Sequence, residues 1–212
     1  MVIAIDGPAG AGKSSVARGV AAALGFTYLD SGAMYRCVAL AALGGGEDLD
    51  DGESMGRLAR TLGIGFDRER VALDGRDVTV AIRDVDVTEA ASRVSVHPQV
   101  REALVARQRE LIAAGRYVAE GRDIGTVVSP DAPLKVFLTA TPAERARRRA
   151  AQTGEAEEEV LSAQRERDER DQTREYSALR AAPDAVRIDT TDLPLDEVVA
   201  RVVSLARQRG LA

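Results

Sequence analysis

The sequence predicts an α/β fold: a doubly wound parallel sheet with helices on both faces, interrupted by a small antiparallel β insert. Three observations carry this prediction. Five short apolar runs alternate with longer amphipathic segments from Val2 to Arg209. The first of these repeats is a strand, a glycine-rich loop and a helix, Val2 to Leu24. Between Gly63 and Val80 the rhythm breaks into alternating residues around Asp74-Gly75, a tight-turn signal. At 212 residues the chain can bury a sizeable core and reads as a single unit carrying an insertion.

Val2 to Ile5 is a buried strand, and Ser14 to Leu24 a helix stopped by Gly25. Between them, Gly7, Pro8, Ala9, Gly10, Ala11, Gly12, Lys13, Ser14 and Ser15 carry the spacing G-x-x-x-x-G-K-S/T. Glycines let the backbone turn its N–H groups onto a polyphosphate, and the helix N-terminus adds a partial positive charge. Lys13 would reach the β- and γ-phosphates of ATP, and the Ser14 hydroxyl would ligate the accompanying Mg²⁺.

Phe26 to Leu29 is a second strand running into Asp30-Ser31-Gly32-Ala33-Met34-Tyr35-Arg36. Ligands in such sheets lie beyond the carboxyl ends of the strands, which places Ser31, Tyr35 and Arg36 on the phosphate-loop edge. Ser31 fits ligand contact and N-capping of the helix through Leu43 equally well. A glycine loop and a helix, Glu53 to Leu62, precede the insert, whose strands are Ile64 to Asp67, Arg70 to Leu73 and Arg76 to Val80. Helices are predicted over Val87 to Val96 and Val100 to Ala114. His97, the only histidine, precedes Pro98 and reads as a turn residue.

Tyr117 to Ala119 is a third core strand that leads into Glu120-Gly121-Arg122-Asp123-Ile124-Gly125. The similar tetrapeptide at Asp74 to Asp77 lies at a hairpin turn, so ligand contact falls to Arg122 and Asp123 and solvated-turn status to Arg76 and Asp77. Leu134 to Leu138 is the fourth strand. Thr141-Pro142-Ala143-Glu144 then opens a helix with an N-cap, a first-turn proline and a capping-box glutamate. Of Arg145, Arg147, Arg148 and Arg149, one or two would face a nucleotide. In the charged stretch from Gln152 to Glu175, positions 167, 170, 171 and 174 share a helix face, giving a stripe of guanidinium groups around one carboxylate. An arginine-bearing segment of this kind suits a phosphoryl-transfer lid. Ala185 to Asp189 and Pro194 to Arg209 supply the fifth strand and last helix.

Net charge is −5, which argues against a nucleic-acid-coating surface and makes any anion site local. Lys13 and Lys135 are the only lysines, so positive charge is nearly all arginine, suited to forked phosphate binding. Cys37 is the sole cysteine, read as a core residue, so a cytoplasmic setting is expected. No leader or membrane span is evident. With no long apolar seam left over, a monomer is expected.

The segments IDGPAGAGKSS, YLDSGAMYR, AASRVSVHPQVREAL, EGRDIGTVV, DAPLKVFL and RERDERD occur in the order found in bacterial cytidylate kinases, which the chain resembles over nearly its whole length. The resemblance implies a phosphate-loop kinase fold with sheet order 2-3-1-4-5, numbering the parallel strands alone. It also implies a core at 1–34, 94–151 and 176–212, a monophosphate-binding lobe at 35–93 and a helical lid at 152–175. It places cytosine against Ser31, Arg101 and Asp123, the acceptor phosphate against Arg36, Arg122 and Arg174, and the sugar against Ser92, Arg167 and Asp171. Lys13, Arg122, Arg170 and Arg174 would serve as catalytic cations. The implied reaction is transfer of the γ-phosphoryl group of MgATP to CMP and dCMP, with no covalent intermediate. Other readings are a phosphate-loop kinase for UMP, shikimate or a coenzyme precursor, and a nucleotide-dependent switch; the latter lacks a guanine-reading N-K-x-D motif.

Overall fold

The structure, a computed structural model, describes residues 1–67, 69–173 and 176–211. The chain forms two compact units, Met1–Leu29 with Ile112–Ala212, and Asp30–Leu111.

The first unit is built on a five-stranded sheet. Its strands are β1 (Val2–Asp6), β2 (Thr27–Asp30), β6 (Tyr117–Gly121), β7 (Leu134–Thr139) and β8 (Val186–Asp189), in spatial order β2-β6-β1-β7-β8. Counting parallel strands alone, this is the expected 2-3-1-4-5. Every residue of β1 is buried, as a central parallel strand requires. Its register pairs Asp6 with Gly121 of β6 on one side and with Phe137 of β7 on the other. Consequently the loop after β1 and the loop after β6 leave the sheet from the same rung. Helix α1 (Lys13–Leu24) packs against α8 (Leu195–Gln208), burying Val16, Val20, Val198 and Val202 over Ile3, Ile5, Val136 and Leu138. Gly25 ends α1 at φ 66°, a left-handed cap that glycine takes without a Cβ penalty. Helices α6 (Pro142–Thr153) and α7 (Glu157–Thr173) pair through a small apolar patch of Ala146, Ala150 and Val160.

The second unit holds α2 (Ser31–Gly45), α3 (Gly52–Thr61), α4 (Val85–Val94) and α5 (Pro98–Ala113). It also holds the antiparallel sheet β3 (Ile64–Asp67), β4 (Arg70–Leu73) and β5 (Arg76–Asp77). Met34, Cys37, Val38, Met55, Ile82, Val94 and Leu104 form its core. Asp74 and Gly75 both take positive φ, 49° and 79°, the tight hairpin turn that the dipeptide predicts. β5 is shorter than the expected Arg76 to Val80 because Asp77 bends the chain. Its Oδ1 accepts the Thr79 amide at 2.9 Å and the Thr79 hydroxyl at 2.6 Å. Arg76 and Asp77 are exposed there, as expected of turn residues.

Candidate active site

The loop between β1 and α1 is held by glycine geometry. Gly10 and Gly12 are left-handed, at φ 77° and 85°. At Gly7 a Cβ would lie 2.2 Å from the Leu138 carbonyl oxygen, so only glycine allows the loop to pass over β7. Helix α1 begins at Gly12 without a capping side chain, leaving its first-turn N–H groups to an incoming anion. Lys13 Nζ donates to the Pro8 carbonyl at 2.7 Å, folding the lysine back across the loop. Ser14 and Ser15 open the same helix, Ser14 partly buried and Ser15 exposed.

Around Lys13 the structure gathers Glu120, Arg122, Arg167 and Asp171. Burial, and then the Arg122 cation, hold the Lys13 ammonium well below the ordinary lysine range, with Glu120 opposing. Arg122 Nε donates to Asp171 Oδ2 at 2.8 Å. Burial works against the Arg122 charge, but Asp171 outweighs it, so the Arg122 pKa is raised. Glu120 accepts from the Tyr28 hydroxyl. An anion entering beside Lys13 and Arg122 would favour the charged form of Lys13. Arg170 donates to the Glu166 carbonyl of its own helix at 3.4 Å. Arg174 lies outside the described residues.

Asp123 precedes a single wide helical turn, Ile124–Val128, which the sequence did not signal. The same turn explains Asp6. Its Oδ1 and Oδ2 accept the amides of Ile124 and Gly125, each at 2.8 Å, so a carboxylate at the end of β1 pins the Arg122-Asp123 loop. Burial lifts the Asp6 carboxyl to about 6, against the two amide donors. The one sequence signal of this role is a charged residue closing an otherwise apolar strand.

Of the arginine run in α6, Arg145 and Arg148 turn inward and Arg147 pairs with Glu144 at the surface. Arg145 Nη1 donates to the Ala9 carbonyl at 3.0 Å, and Arg145 pairs with Asp168 of α7 at 2.7 Å. Arg148 Nη1 reaches the Thr190 hydroxyl at 3.0 Å, which itself donates to the Ala11 carbonyl at 3.3 Å. The loop is thus braced from α6 and from the turn after β8.

In the second unit, Asp30 rather than Ser31 caps α2. Its Oδ1 accepts the Ala33 amide at 2.9 Å and its Oδ2 pairs with Arg36 at 2.7 Å. Ser31 is buried at the start of the helix, and Arg36 Nε is buried without a hydrogen-bond partner. Ser92, on α4, is buried with its hydroxyl also unpartnered. Arg101 on α5 is only 1% exposed, stacked over the Tyr35 ring at 5.4 Å and donating to the Ser95 carbonyl at 3.3 Å. The buried Arg36 Nε and Ser92 hydroxyl leave unused hydrogen-bonding capacity in this unit. His97 is structural: its Nε2 meets the Leu49 carbonyl at 2.8 Å. Cys37 is a core residue, its thiol pushed up to about 12 by burial.

The sequence matches the cytidylate kinase family over residues 3–208. The chain belongs to the cytidylate kinase family. Among named cytidylate kinases it is 51% identical to that of Mycolicibacterium paratuberculosis strain K-10, over 99% of this chain and 96% of the relative. To the cytidylate kinase of Carboxydothermus hydrogenoformans it is 49% identical, over 99% of each chain. To that of Stutzerimonas stutzeri it is 46% identical, over 100% of this chain and 97% of the relative. A gluconokinase structure from Sinorhizobium meliloti 1021 superposes with a TM-score of 0.52 at 20% identity, covering 99% of this chain and 93% of its own. A sugar kinase from Janibacter sp. HTCC2649 gives 0.53 at 15% identity, covering 100% and 97%. At those identities the two share the fold.

Proposed function

We propose that this cytidylate kinase family member transfers the γ-phosphoryl group of MgATP to CMP and dCMP, releasing ADP and the diphosphate. The observation that carries the reading is the buried Lys13, acted on by the Arg122 charge, in a glycine loop whose helix lacks a capping side chain. A cation that burial has made costly, as at Lys13, gains most when a polyanion arrives. Near-full-length likeness to named cytidylate kinases supports CMP as acceptor.

In this reading the loop amides and Lys13 hold the donor phosphates, and Arg122 neutralises the acceptor phosphate. Its Asp171 partner fixes the guanidinium plane, and Arg167 and Asp171 meet the sugar. Arg170 and Arg174 are the further lid cations. Ser31, Arg36, Ser92 and Arg101 are the acceptor-binding groups of the second unit. Phosphate is already a nucleophile, so in-line alignment and charge neutralisation suffice, with no covalent intermediate. Ser14 is the loop hydroxyl that would hold a Mg²⁺ ion arriving with ATP, which would supply positive charge to the phosphates. Asp123 reads the base. A carboxylate accepts from the cytosine amino group and repels the uracil carbonyl, a mismatch of about 1–3 kcal/mol, or about ten- to a few hundred-fold in selectivity.

Among the described residues no helix is long and apolar enough to cross a membrane. The buried single cysteine supports a reducing, cytoplasmic setting, and we assign the chain there as a monomer. The test is ADP release from MgATP with CMP, dCMP, UMP, AMP, GMP and shikimate in turn, run also with Lys13→Ala. Turnover confined to CMP and dCMP, and lost by orders of magnitude in Lys13→Ala, is expected. Turnover with a different acceptor, or without one, refutes the assignment.

A further inference from the structure

We propose that Ser177 is a positioning residue for base selection, holding the Asp123 carboxylate in the orientation that accepts the cytosine amino group. This rests on the reading of Asp123 as the base-reading carboxylate. Ser177 Oγ donates to Asp123 Oδ2 from 54 residues further along the chain. Asp123 is 4% exposed, and its backbone is fixed because its carbonyl accepts the amides of Val127 at 2.8 Å and Val128 at 3.2 Å. A fixed backbone does not fix the carboxylate plane, since the last torsion of aspartate is broad. A hydroxyl donor on one oxygen restrains that plane, and with it the orientation in which the carboxylate meets the base.

The backbone at Ser177 takes an uncommon conformation. Its φ is 65°, and among the described residues the only other non-glycine at positive φ is Asp74, in a hairpin turn. Serine adopts the left-handed region only where its surroundings impose it. Those surroundings are visible. The Leu179 amide donates to the Asp171 carbonyl at 2.7 Å, and the Leu179 side chain is buried. Asp171 in turn is the partner of Arg122. Leu179 is thereby tied to the residue that orients the phosphate-binding arginine, and Ser177, two residues before it, presents its hydroxyl to the base-reading side chain.

The experiment compares Ser177→Ala, Ser177→Gly, Asp123→Asn and the double variant Ser177→Ala/Asp123→Asn. It measures kcat, the KM for CMP and for ATP, the CMP-to-UMP ratio of kcat/KM, and the thermal midpoint. Loss of a hydrogen bond to a charged group is expected to raise the CMP KM of Ser177→Ala about ten-fold and to cut the CMP-to-UMP ratio by a similar factor. The ATP KM should stay within about two-fold. Ser177→Gly suits φ 65° better than alanine, so an equal loss there assigns the effect to the hydroxyl and covers the case in which the alanine variant folds poorly. In the Asp123→Asn background, Ser177→Ala should add little. An unchanged or lowered CMP KM in both Ser177 variants overturns the proposal, the lowered value meaning that the hydroxyl competes with the base. So does a joint rise of both KM values with a fall in the thermal midpoint. If Asp123→Asn itself leaves the CMP-to-UMP ratio intact, the base-reading assignment fails and takes this proposal with it. A fall in Asp123→Asn without one in the Ser177 variants overturns the Ser177 role alone.

Discussion

Asp6 offers a test whose magnitude follows from its surroundings. Burial at the end of β1 raises its carboxyl from 3.8 to about 6; the amides of Gly125 and Ile124 pull the other way, the Asp123 charge adds to the rise, and Lys13 reduces it. The folded value lies above the unfolded one, so between those two pH values the native state binds the extra proton. The associated stability is therefore fully present below about pH 3.8 and is lost as pH rises through about 6. A rise of that size corresponds to about 3 kcal/mol, of which about 1.4 kcal/mol falls between about pH 5 and pH 7. Asp6→Asn has no proton to exchange. Urea unfolding of both proteins across that range should show the wild-type stability, minus that of Asp6→Asn, falling by about 1.4 kcal/mol as pH rises. Subtraction removes the titration of every group that the substitution leaves unperturbed. A flat difference, or one that grows with pH, would refute the account of a carboxylate charged at the cost of desolvation.

Gly7→Ala should destabilise by about 2 kcal/mol or more and abolish most turnover, because the added Cβ meets a backbone oxygen that no rotamer change can move; denaturation and steady-state rates check it. Arg145→Ala leaves Asp168, whose side chain is 13% exposed, without its cation. Unfolding should show a loss of about 3–5 kcal/mol, and the ATP KM should rise more than the CMP KM. His97→Ala should cost about 1–2 kcal/mol through the lost bond to Leu49 with kcat nearly unchanged; a large fall in kcat would bring the histidine into the chemistry.

Much of the fold was legible because its signals are local. An apolar run, a glycine loop and a lysine at fixed spacing need no knowledge of the rest of the chain, and Asp74-Gly75 fixes its own turn. The sheet order came from resemblance, and the structure has the same order. What the sequence could not show is non-local or decided by a single residue. Asp6 meets Ile124 and Gly125 across 118 and 119 positions, and nothing in either segment names the other. Asp30 and Ser31 are adjacent residues of the N-capping type; where β2 ends decides between them, and it ends at Asp30. Arg145 was one of four similar arginines until α7 supplied Asp168. Ser177 lies in a segment with no periodicity at all.

The shared rung of β1 and β6 has a consequence for how such a protein can evolve. Asp6 and Gly121 are partners, and the phosphate loop and the Arg122-Asp123 loop each begin on the next residue. Adding one residue to either strand would carry its loop about 3.3 Å along the sheet and turn alternate side chains to the opposite face. Substitutions within the loops can be tested one at a time by selection, but the lengths of these two strands can change only together. The rung acts as a common origin from which both loops are measured, and lineages of this enzyme are expected to gain and lose residues at the other end of the sheet, where Gly115 and Arg116 lead into β6, and in the hairpin insert.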